Sequence, residues 1–344
     1  MIMEQPFTPV SQIGRKALLQ KLAQFKGYHH SSLMIEIGDD AAAFSIKTDQ
    51  LALLTSDTFV EGADFDPTYT PFTHFGYKMV SAGISDILAM NGEPSAILVN
   101  LAIPNRVSVE MIVDLYKGID QACKDYGVAI AGGDITGNHQ NAVFTISVMG
   151  EVEKNDLVKR SGAKQGDAIC VTGDLGAAIA GLRILMREKS FWEKHGDQAA
   201  QPDLGDYKFV VERQLMPKAR LDVIKVLKAH NIVPSSMIDL TKGVIEEVTQ
   251  LTENSDLGAH LYQAALPIAV ETRQVADEME EDVDKYALYG GEDLELIFTL
   301  PEHKVDELIK HFNDFSVIGR MTPKEDGLVI QTAEGDIIGF DEMS

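Results

Sequence analysis

Hydrophobic and polar positions alternate between two periods along the 344-residue chain. A period of two indicates half-buried strands, and a period of 3.6 indicates amphipathic helices. Segments of both kinds follow one another from end to end, so we predict an α/β protein of the α+β type. The predicted helices are 11–25, 75–90, 108–126, 177–187, 207–215, 218–230 and 302–312. The predicted strands are 51–54, 96–103, 128–131, 142–149, 168–172, 294–300, 316–318 and 328–332.

The composition changes in the stretch 151–166, which reads EVEKNDLVKRSGAKQG and is polar and glycine-bearing. We therefore predict two domains, 1–151 and 152–344, each long enough to bury its own core. The stretch 191–206 contains two glycines and a proline and is predicted to be irregular.

The charge of the chain limits its partners. The sequence has 30 Lys and Arg against 53 Asp and Glu, a formal net charge of −23. Such a chain repels nucleic acid and anionic membrane surfaces, so we expect neither as a partner. A phosphorylated small molecule would also be repelled unless metal cations stand between it and the protein. No apolar run approaches the roughly 18 to 20 residues of a membrane span, and two cysteines are too few for a disulfide framework. We expect a cytoplasmic location.

Acidic residues recur beside glycine or small residues at the ends of the predicted elements. They are Asp39 and Asp40 in IGDDAAAF, Asp57 in TSDTFVEG, Asp86 in GISDILAMNG, Asp134 in AGGDITG, Asp239 in MIDLTKG, and Glu292 and Asp293 in YGGEDLEL. Asp86 also shares a helical face with the apolar Phe75, Met79 and Met90. Each acid alone could equally be a buried carboxylate satisfied by protein donors. Together they indicate a site where divalent cations such as Mg²⁺ bridge carboxylates to substrate phosphates.

Other chemistries lack their sequence signatures. The chain has no G-x-x-x-x-G-K-[ST] loop, no G-x-G-x-x-G fingerprint, no G-x-S-x-G elbow and no H-E-x-x-H pair. The segment VTGDLG at 171–176 could cradle a phosphate, although a tight turn before a helix is the more common role. Among the cations, Arg160 suits a phosphate because a guanidinium matches phosphate oxygens in a forked geometry. A surface arginine in a linker is an equally good interpretation.

With these residues assembled, the chain resembles the thiamine-monophosphate kinases, whose superfamily includes aminoimidazole ribonucleotide synthetase, selenophosphate synthetase and HypE. The resemblance runs almost end to end through IGDDAAAF, TSDTFVEGADF, FGYKMVSAGISDILAMNGEP, IAGGDITG, RSGAKQGDAICVTGDLGAAIAGL, MIDLTKG, YGGEDLELIFTLP and VIGRMTP. It implies a two-domain fold of the aminoimidazole ribonucleotide synthetase type. The N-terminal metal- and ATP-binding domains of two subunits would pair into a barrel-like sheet, and a C-terminal α/β domain would cover each site.

The resemblance also implies an activity, the ATP-dependent and Mg²⁺-assisted phosphorylation of thiamine monophosphate to thiamine diphosphate in a homodimer. Metal-ligand positions would be Asp40, Asp57, Asp86, Asp134 and Asp239. ATP-contacting positions would be Thr55, Ser56, Tyr116, Gly133, Asp134, Arg160 and Thr241, and substrate positions Asp64, Glu292 and Phe340. Catalysis would rest on Asp40, Asp86, Asp134 and Arg160, which bring two anions into line and spread their charge. No general base is expected, because the acceptor phosphate is already largely ionised at neutral pH.

Two positions depart from the pattern of that family. Lys242 in IDLTKG stands where the family usually has an aspartate, and Asp64 in VEGADF stands where it has a histidine. Lys242 could replace a cation with its own ammonium, or could abolish metal binding. Two alternatives therefore stay open. One is a related ATP-dependent kinase or synthetase acting on another small substrate, and the other is a catalytically weak paralogue that binds nucleotide.

Overall fold

The computed structural model describes residues 8–22, 24–31, 33–35, 43–44, 47–196 and 204–340. These residues divide into two compact units. Unit 1 is drawn from Met1–Ile87 and Gly92–Lys154, and unit 2 from Leu88–Asn91 and Asn155–Ser344. The chain thus leaves unit 1 after Lys154, whereas the sequence pattern placed the boundary after 151. No helix among the described residues is both long enough and apolar enough to cross a membrane.

Unit 1 contains a four-stranded sheet and the longest helices of the N-terminal half. Its elements are α1 (Val10–Leu22), β1 (Leu33–Ile35), β2 (Ala43–Phe44), β3 (Gln50–Val60), α2 (Phe72–Ala89), β4 (Glu93–Pro104), α3 (Val109–Tyr126), β5 (Ala129–Asn138) and β6 (Val143–Glu153). The sheet has the order β3-β6-β4-β5, in which β4 and β5 are parallel and the other pairs antiparallel. The short strands β1 and β2 pair separately.

One face of the four-stranded sheet is covered by α2, and the other is exposed. Leu53 and Phe59 of β3 are buried, whereas Leu54 between them is 80% exposed. On the covered face, Phe75 of α2 packs against Phe59 and Phe144, with ring centroids 5.6 and 5.9 Å apart. Since successive strand residues point to opposite faces, the odd-numbered residues of β3 face α2 and the even-numbered residues lie on the exposed face.

Unit 2 contains a seven-stranded mixed sheet. Its elements are β7 (Ala168–Thr172), α4 (Ala177–His195), α5 (Lys208–Leu215), α6 (Leu221–Ala229), β8 (Ser236–Asp239), α7 (Val244–Ser255), β9 (Gly258–Tyr262), α8 (Val270–Glu278), α9 (Val283–Tyr289), β10 (Leu296–Leu300), α10 (Glu302–Leu308), β11 (Phe315–Thr322), β12 (Leu328–Gln331) and β13 (Ile337–Gly339). The strand order is β13-β12-β9-β11-β7-β10-β8, and only the β9–β12 pair of these strands is parallel.

The core of unit 2 lies where α7 packs on the central strands. All five residues of β10 are buried, and only Thr299 among them is polar, as is usual for a strand covered on both faces. Val248 and Leu251 of α7 join the same hydrophobic cluster as Ile169 of β7 and Ile297 of β10. The strand β8 ends beside the start of β10, since Asp239 is paired with Leu296. The segments that follow β8 and precede β10 are therefore neighbours.

The predicted mixed α/β organisation is confirmed, but several elements differ from their predicted extent. The strand β3 runs to Val60 rather than ending at 54. The helix α4 continues to His195, inside the stretch predicted to be irregular, and its residues Phe191 and Trp192 are about half exposed. The elements β1, β2, β8, α7, β9, α8, α9 and β13 were not predicted. Residues 197–203 of the supposed irregular stretch lie outside the described residues.

Candidate active site

Two carboxylates and a hydroxyl meet between β3 and α2 of unit 1. Thr55 and Asp57 are two residues apart on the covered face of β3, and Asp86 lies on α2 opposite them. Thr55 Oγ1 donates to Asp86 Oδ2 at 2.5 Å. Gly83 of α2 lets the helix approach the sheet closely here, because a Cβ at this position would lie 2.6 Å from Val148 Cγ2 of β6. We call Asp57 and Asp86 the unit 1 carboxylate pair.

Asp57 is the member of the unit 1 carboxylate pair whose charge is poorly compensated among the described residues. Burial raises the pKa of Asp57 to about 6, and the negative charge of Asp86 adds to the rise. Asp57 Oδ2 is buried and has no hydrogen-bond partner among the described residues. A buried carboxylate in this situation costs free energy unless a cation or another donor compensates it. The pair therefore fits Mg²⁺, which prefers carboxylate oxygens.

The described residues do not hold a complete metal site. No group of three or more His, Cys, Asp or Glu side chains suited to a metal ion occurs among them. Asp39 and Asp40, the adjacent acids of IGDDAAAF, lie outside the described residues. The metal-binding and catalytic roles of Asp40 stay predictions.

Asp134 lies on the other face of the sheet from the unit 1 carboxylate pair. Asp134 of β5 is opposite Asn100 of β4, Asn100 is opposite Thr145 of β6, and Thr145 is opposite Thr58 of β3. Directly opposed residues share a face, so this row of four lies on the exposed face. Asp134 is itself exposed. Its metal-binding and catalytic roles remain predictions, and within unit 1 the structure does not group it with Asp57.

The other ATP-contact candidates of unit 1 differ in exposure. Ser56 lies on the exposed face of the sheet, with its hydroxyl 3.1 Å from that of Ser147. Gly133 is exposed, and a Cβ there would lie 1.8 Å from the Val99 carbonyl oxygen, so close approach of β4 requires glycine. Tyr116 is 7% exposed, and burial raises its pKa to about 12. The nucleotide contacts of these residues stay predictions.

Asp64 closes the turn that follows β3. Its Oδ2 accepts the Val60 N–H at 2.7 Å, and its own N–H donates to the Val60 carbonyl at 2.9 Å. The side chain is therefore a turn-forming group, as is common for aspartate. A contact with substrate stays a prediction.

In unit 2, the segment after β8 is hydrogen-bonded to the segment before β10. The Glu292 N–H donates to the Thr241 carbonyl at 3.1 Å. Gly291 has a φ of 130°, and a Cβ there would lie 2.3 Å from the same carbonyl. Only glycine allows this approach. Asp239, at the end of β8, is 3% exposed. Three sequence-predicted site residues, Asp239, Thr241 and Glu292, therefore lie in one region of unit 2.

Glu292 has an unusual backbone. Its backbone angle φ is 62° and that of Leu294 is 53°, values that residues other than glycine rarely adopt. Such conformations cost about 1–3 kcal/mol each and concentrate at functional sites. Gln214 Nε2 donates to Glu292 Oε2 at 3.4 Å. This contact links the Glu292 carboxylate to α5.

Two cationic side chains flank the segment after β8. Arg160 is exposed, and its Nη1 donates to Gln250 Oε1 of α7 at 2.7 Å. Lys242 is 65% exposed at its side chain, and its Nζ lies 3.3 Å from Glu246 Oε1. Both cations are therefore held on the surface of unit 2 with their charges accessible to an anion.

Comparisons with known proteins show the family to which the chain belongs. Residues 38–152 match the family AIR synthase related protein, N-terminal domain, and residues 164–331 match its C-terminal domain. The chain is 31% identical to the thiamine-monophosphate kinase of Bacillus subtilis over 280 residues, which are 81% of this chain and 82% of the relative. It is also 31% identical to that of Haemophilus influenzae, over 91% of this chain and 90% of the relative. The chain belongs to the thiamine-monophosphate kinase family.

Solved structures support the same relationship. The thiamine monophosphate kinase of Aquifex aeolicus has 25% identity and a TM-score of 0.71, covering 96% of this chain and 99% of its own. AaThiL complexed with AMPPCP and TMP has 26% identity and a TM-score of 0.71, with coverage of 98% and 97%. HypE in complex with ATP, at 17% identity and a TM-score of 0.69 over 87% of each chain, shows the fold alone.

Phe340 of this thiamine-monophosphate kinase family member lies in the core of unit 2. It is 5% exposed and belongs to the same hydrophobic cluster as Ile330 and Leu261. Burial of this kind favours a packing role. The substrate contact predicted for Phe340 stays a prediction, and its position in the core does not favour it.

Two of the three acids in YGGEDLEL have structural roles that the sequence did not reveal. Asp293 is fully buried and accepts the N–H groups of Gly176 at 2.8 Å and Ala178 at 3.0 Å, where α4 begins. The first N–H donors of α4 are thus satisfied by the protein itself. VTGDLG is therefore a turn before a helix, the more common of its two possible roles.

Glu295 is the centre of a buried ion network. Its carboxylate accepts from Arg213 Nη2 at 2.8 Å, Arg220 Nη1 at 2.7 Å and Thr172 Oγ1 at 2.6 Å. Arg220 also pairs with Asp314 at 2.7 Å. None of these arginines was singled out from the sequence. No local signal distinguishes them, because the same stretch of sequence also contains Lys208, Lys218, Lys225 and Lys228.

Proposed function

We propose that this member of the thiamine-monophosphate kinase family phosphorylates thiamine monophosphate to thiamine diphosphate, with ATP as the donor. The observation that carries the proposal is the similarity, over 98% of the chain, to AaThiL complexed with AMPPCP and TMP. AMPPCP is a non-hydrolysable ATP analogue, and TMP is the acceptor. The relatives named thiamine-monophosphate kinase, at about 30% identity over most of their length, support the same activity.

The unit 1 carboxylate pair would hold Mg²⁺. Asp40 and Asp239 are further ligands that the family resemblance implies. Asp134 is also an implied metal ligand, but it lies on the other face of the unit 1 sheet and would not share an ion with Asp57 in the same subunit. When bound, the ion would neutralise phosphate charge that a protein of net charge −23 otherwise repels. The fit rests on the buried, unpartnered Asp57 Oδ2 beside a second carboxylate.

Unit 2 would supply the groups that orient the two anions. The exposed guanidinium of Arg160 can bind a phosphate through two parallel N–H bonds. The Thr241 segment, fixed by its bond to Glu292, would contact the nucleotide. Glu292 would contact thiamine, whose thiazolium ring carries a positive charge that complements a carboxylate. The acceptor phosphate needs no general base, since it is already mostly ionised at neutral pH.

The exposed face of the unit 1 sheet supports a homodimer. Leu54 is 80% exposed and Leu98 is 41% exposed on this face, although both lie inside long strands. Apolar side chains in the middle of a sheet face normally have a covering layer. We propose that a second copy of the sheet covers them. Light scattering should give the mass of a dimer for the wild type and of a monomer for Leu54→Asp.

A cytoplasmic location is part of the proposal. Cys123 and Cys170 are both buried and form no disulfide. Burial raises the pKa of both thiols, so neither is activated for reaction. Unmodified, inert thiols suit a reducing compartment.

Asp64 favours a second candidate, a related ATP-dependent kinase acting on another small phosphorylated or amine-bearing substrate. Its carboxylate is engaged by the Val60 N–H, where the family usually presents a histidine to the substrate. A screen of acceptors with the purified protein and ATP separates the candidates. A turnover that is higher on another acceptor than on thiamine monophosphate would favour the second.

The decisive assay uses purified protein, ATP, Mg²⁺ and thiamine monophosphate, with chromatographic detection of thiamine diphosphate. We expect product with the wild type and a large loss with Asp57→Asn. Asp49→Asn, an exposed aspartate in the turn before β3, is the matched control. No product under any metal condition would contradict the proposed function.

A further inference from the structure

Glu247 is a buried carboxylate that none of the proposed roles uses. It lies in the first turns of α7 and is 2% exposed. Burial raises its pKa, and the nearby donors and the charge of Arg160 offset part of the rise. A carboxylate in such a position is retained at a cost in desolvation unless its hydrogen bonds are satisfied. The partners of its two oxygens show what it holds in place.

The first oxygen of Glu247 holds the segment that contains Thr241. Oε1 accepts the Lys242 N–H at 3.1 Å, the Thr241 hydroxyl at 3.1 Å and the Thr241 N–H at 3.4 Å. The carbonyl of Thr241 accepts from Glu292 on the opposite side. The proposed nucleotide-contacting segment is therefore fixed between α7 and the segment before β10.

The second oxygen of Glu247 reaches Arg160 through Gln250. Glu247 and Gln250 are three residues apart and share a face of α7. Gln250 Nε2 donates to Glu247 Oε2 at 3.2 Å, while Gln250 Oε1 accepts from Arg160 Nη1 at 2.7 Å. Because an amide has a donor side and an acceptor side, these two bonds allow only one orientation of Gln250.

The amide spacer holds Arg160 without neutralising it. Among the described residues, no carboxylate forms an ion pair with Arg160, whereas Arg220 has three carboxylate partners. The backbone around Arg160 is anchored as well, since Met237 N–H donates to the Lys159 carbonyl at 3.1 Å. The guanidinium is thus oriented by the neutral Gln250 amide instead of by direct pairing with a carboxylate of the described residues.

From this arrangement we infer that Glu247 and Gln250 are a positioning pair, which sets the Thr241 segment and the Arg160 guanidinium together for nucleotide phosphates. The inference rests on the proposed function for the identity of the ligand. Neither side chain needs to touch the nucleotide, because each acts through a residue that does.

Glu247→Gln tests the pair with almost no change of shape. The new amide can keep its oxygen toward the Thr241 segment only by turning its NH₂ group toward Gln250. Gln250 must then flip to accept that bond, which directs its own NH₂ group at Arg160. Two donors would face each other, so Arg160 would lose its acceptor. Gln250→Met removes the same acceptor and leaves the contacts between Glu247 and the Thr241 segment intact.

Calorimetric titration with AMPPCP and Mg²⁺ measures the effect without turnover. We expect Glu247→Gln and Gln250→Met each to weaken AMPPCP binding about tenfold, the size typical of a hydrogen bond to a charged group. Glu253→Gln, an exposed glutamate on the same helix, should stay within roughly twofold of the wild type. Because the pair acts through Arg160, Glu247→Gln should have a clearly smaller effect, under about threefold, in an Arg160→Ala background.

Several outcomes would overturn the inference. One is an equal tenfold loss of AMPPCP affinity from Glu247→Gln in the wild-type and Arg160→Ala backgrounds. Another is an unchanged AMPPCP affinity in a Glu247→Gln protein that melts at a lower temperature. A third is a wild type that does not bind AMPPCP. If Glu247→Gln does not fold, Gln250→Met decides, because Gln250 is only partly buried. A wild type that binds AMPPCP but forms no thiamine diphosphate contradicts the proposed function alone, and the variants still decide the inference.

Discussion

The hydroxyl of Thr55 and the carboxylate of Asp86 are joined by a 2.5 Å hydrogen bond between β3 and α2. This bond fixes one oxygen of Asp86 and turns the carboxylate toward Asp57. Thr55→Val keeps the shape of the side chain and removes the donor, so we expect about 1 kcal/mol of lost stability. The Mg²⁺ concentration for half-maximal thiamine diphosphate formation should rise severalfold. Thr68→Val is the control, because Thr68 also donates to an aspartate, Asp66, but in an exposed turn. Equal Mg²⁺ dependence of the two variants would contradict the role of Thr55.

We expect the unit 1 carboxylate pair to lower the stability of the metal-free protein and to bind Mg²⁺ when the ion is present. Asp57 is a partly buried acid beside another acid, so Asp57→Asn removes a repulsion when no metal is present. We expect the metal-free variant to melt a few degrees above the wild type, as for about 1 kcal/mol in a protein of this size. Mg²⁺ should stabilise the wild type and not the variant, since a ligand stabilises only the state that binds it.

Thermal melting with increasing Mg²⁺ measures both effects of Asp57→Asn without any assay of activity. Asp49→Asn is again the matched control and should respond to Mg²⁺ as the wild type does. A Mg²⁺-dependent rise in the melting temperature of Asp57→Asn equal to that of the wild type would exclude Asp57 as a ligand.

The origin of this site shows which features a single sequence reveals. Asp86 was identifiable because it interrupts an apolar helical stripe, and Phe75 and Met79 of that stripe are indeed buried. The length of β3 was not identifiable, because Ser56 and Thr58 occupy the exposed face in alternation with Asp57 and resemble a polar loop. The pairing of Thr55 with Asp86 depends on how α2 lies across the sheet, which no local pattern encodes.

The acids of YGGEDLEL show a second limit. Sequence alone could not separate the strained Glu292 from Asp293 and Glu295, because all three occur within four residues. Their roles are set by partners distant in the chain. Asp293 bonds to the start of α4, 115 and 117 residues away, and Glu295 bonds to Arg213 and Arg220. Tertiary contacts of this kind distinguish a buried structural acid from a binding residue.

Glu295 should be the acid of this segment whose loss most affects folding. Its side chain is 2% exposed and lies between two arginines. Glu295→Gln leaves two buried guanidinium groups short of a counter-charge, and removing one partner of a buried ion pair costs about 3–5 kcal/mol. Urea unfolding should show a loss in this range, against little change for Glu334→Gln, an exposed glutamate in a turn. A loss below about 1 kcal/mol would mean that Asp222 and Asp314 suffice for Arg220 and Asp174 for Arg213.

Asp293 should make the protein less stable as the pH rises, which is the opposite of the usual effect of a carboxylate. Burial raises its pKa from 3.8 to about 7, against the opposing effects of Arg213 and the N–H donors of Ala178 and Gly176. Between these two values the folded protein holds a proton that the unfolded chain has released. The contribution of Asp293 to the free energy of unfolding is therefore fully present below the unfolded pKa and is lost as the pH rises through the folded pKa, by at most about 1.4 kcal/mol per pH unit.

Asp293→Asn isolates that contribution. Asparagine keeps one of the two bonds at the start of α4, so the variant should be less stable but should lose less stability than the wild type between pH 4 and 7. Urea unfolding at several pH values measures the difference in slope. The exposed Asp277→Asn on α8 should retain the wild-type slope. Parallel curves for the wild type and Asp293→Asn would show that the carboxylate titrates at the same pH in both states.

Variants of Lys242 test whether this lysine, which replaces the usual aspartate of the family in IDLTKG, is an adaptation. Its ammonium is exposed and lies 3.3 Å from Glu246, a surface pair that contributes little, so it is accessible to a phosphate. Lys242→Asp would place a third acid beside Glu246 and Glu247 and repel ATP, and we expect activity at low Mg²⁺ to fall about tenfold or more. High Mg²⁺ should restore part of it by supplying the missing positive charge. Lys242→Gln, which removes the charge without reversing it, should give a smaller loss. A strong rise in turnover for Lys242→Asp would instead indicate that lysine had degraded a metal site, and would favour the interpretation of a weak nucleotide-binding paralogue.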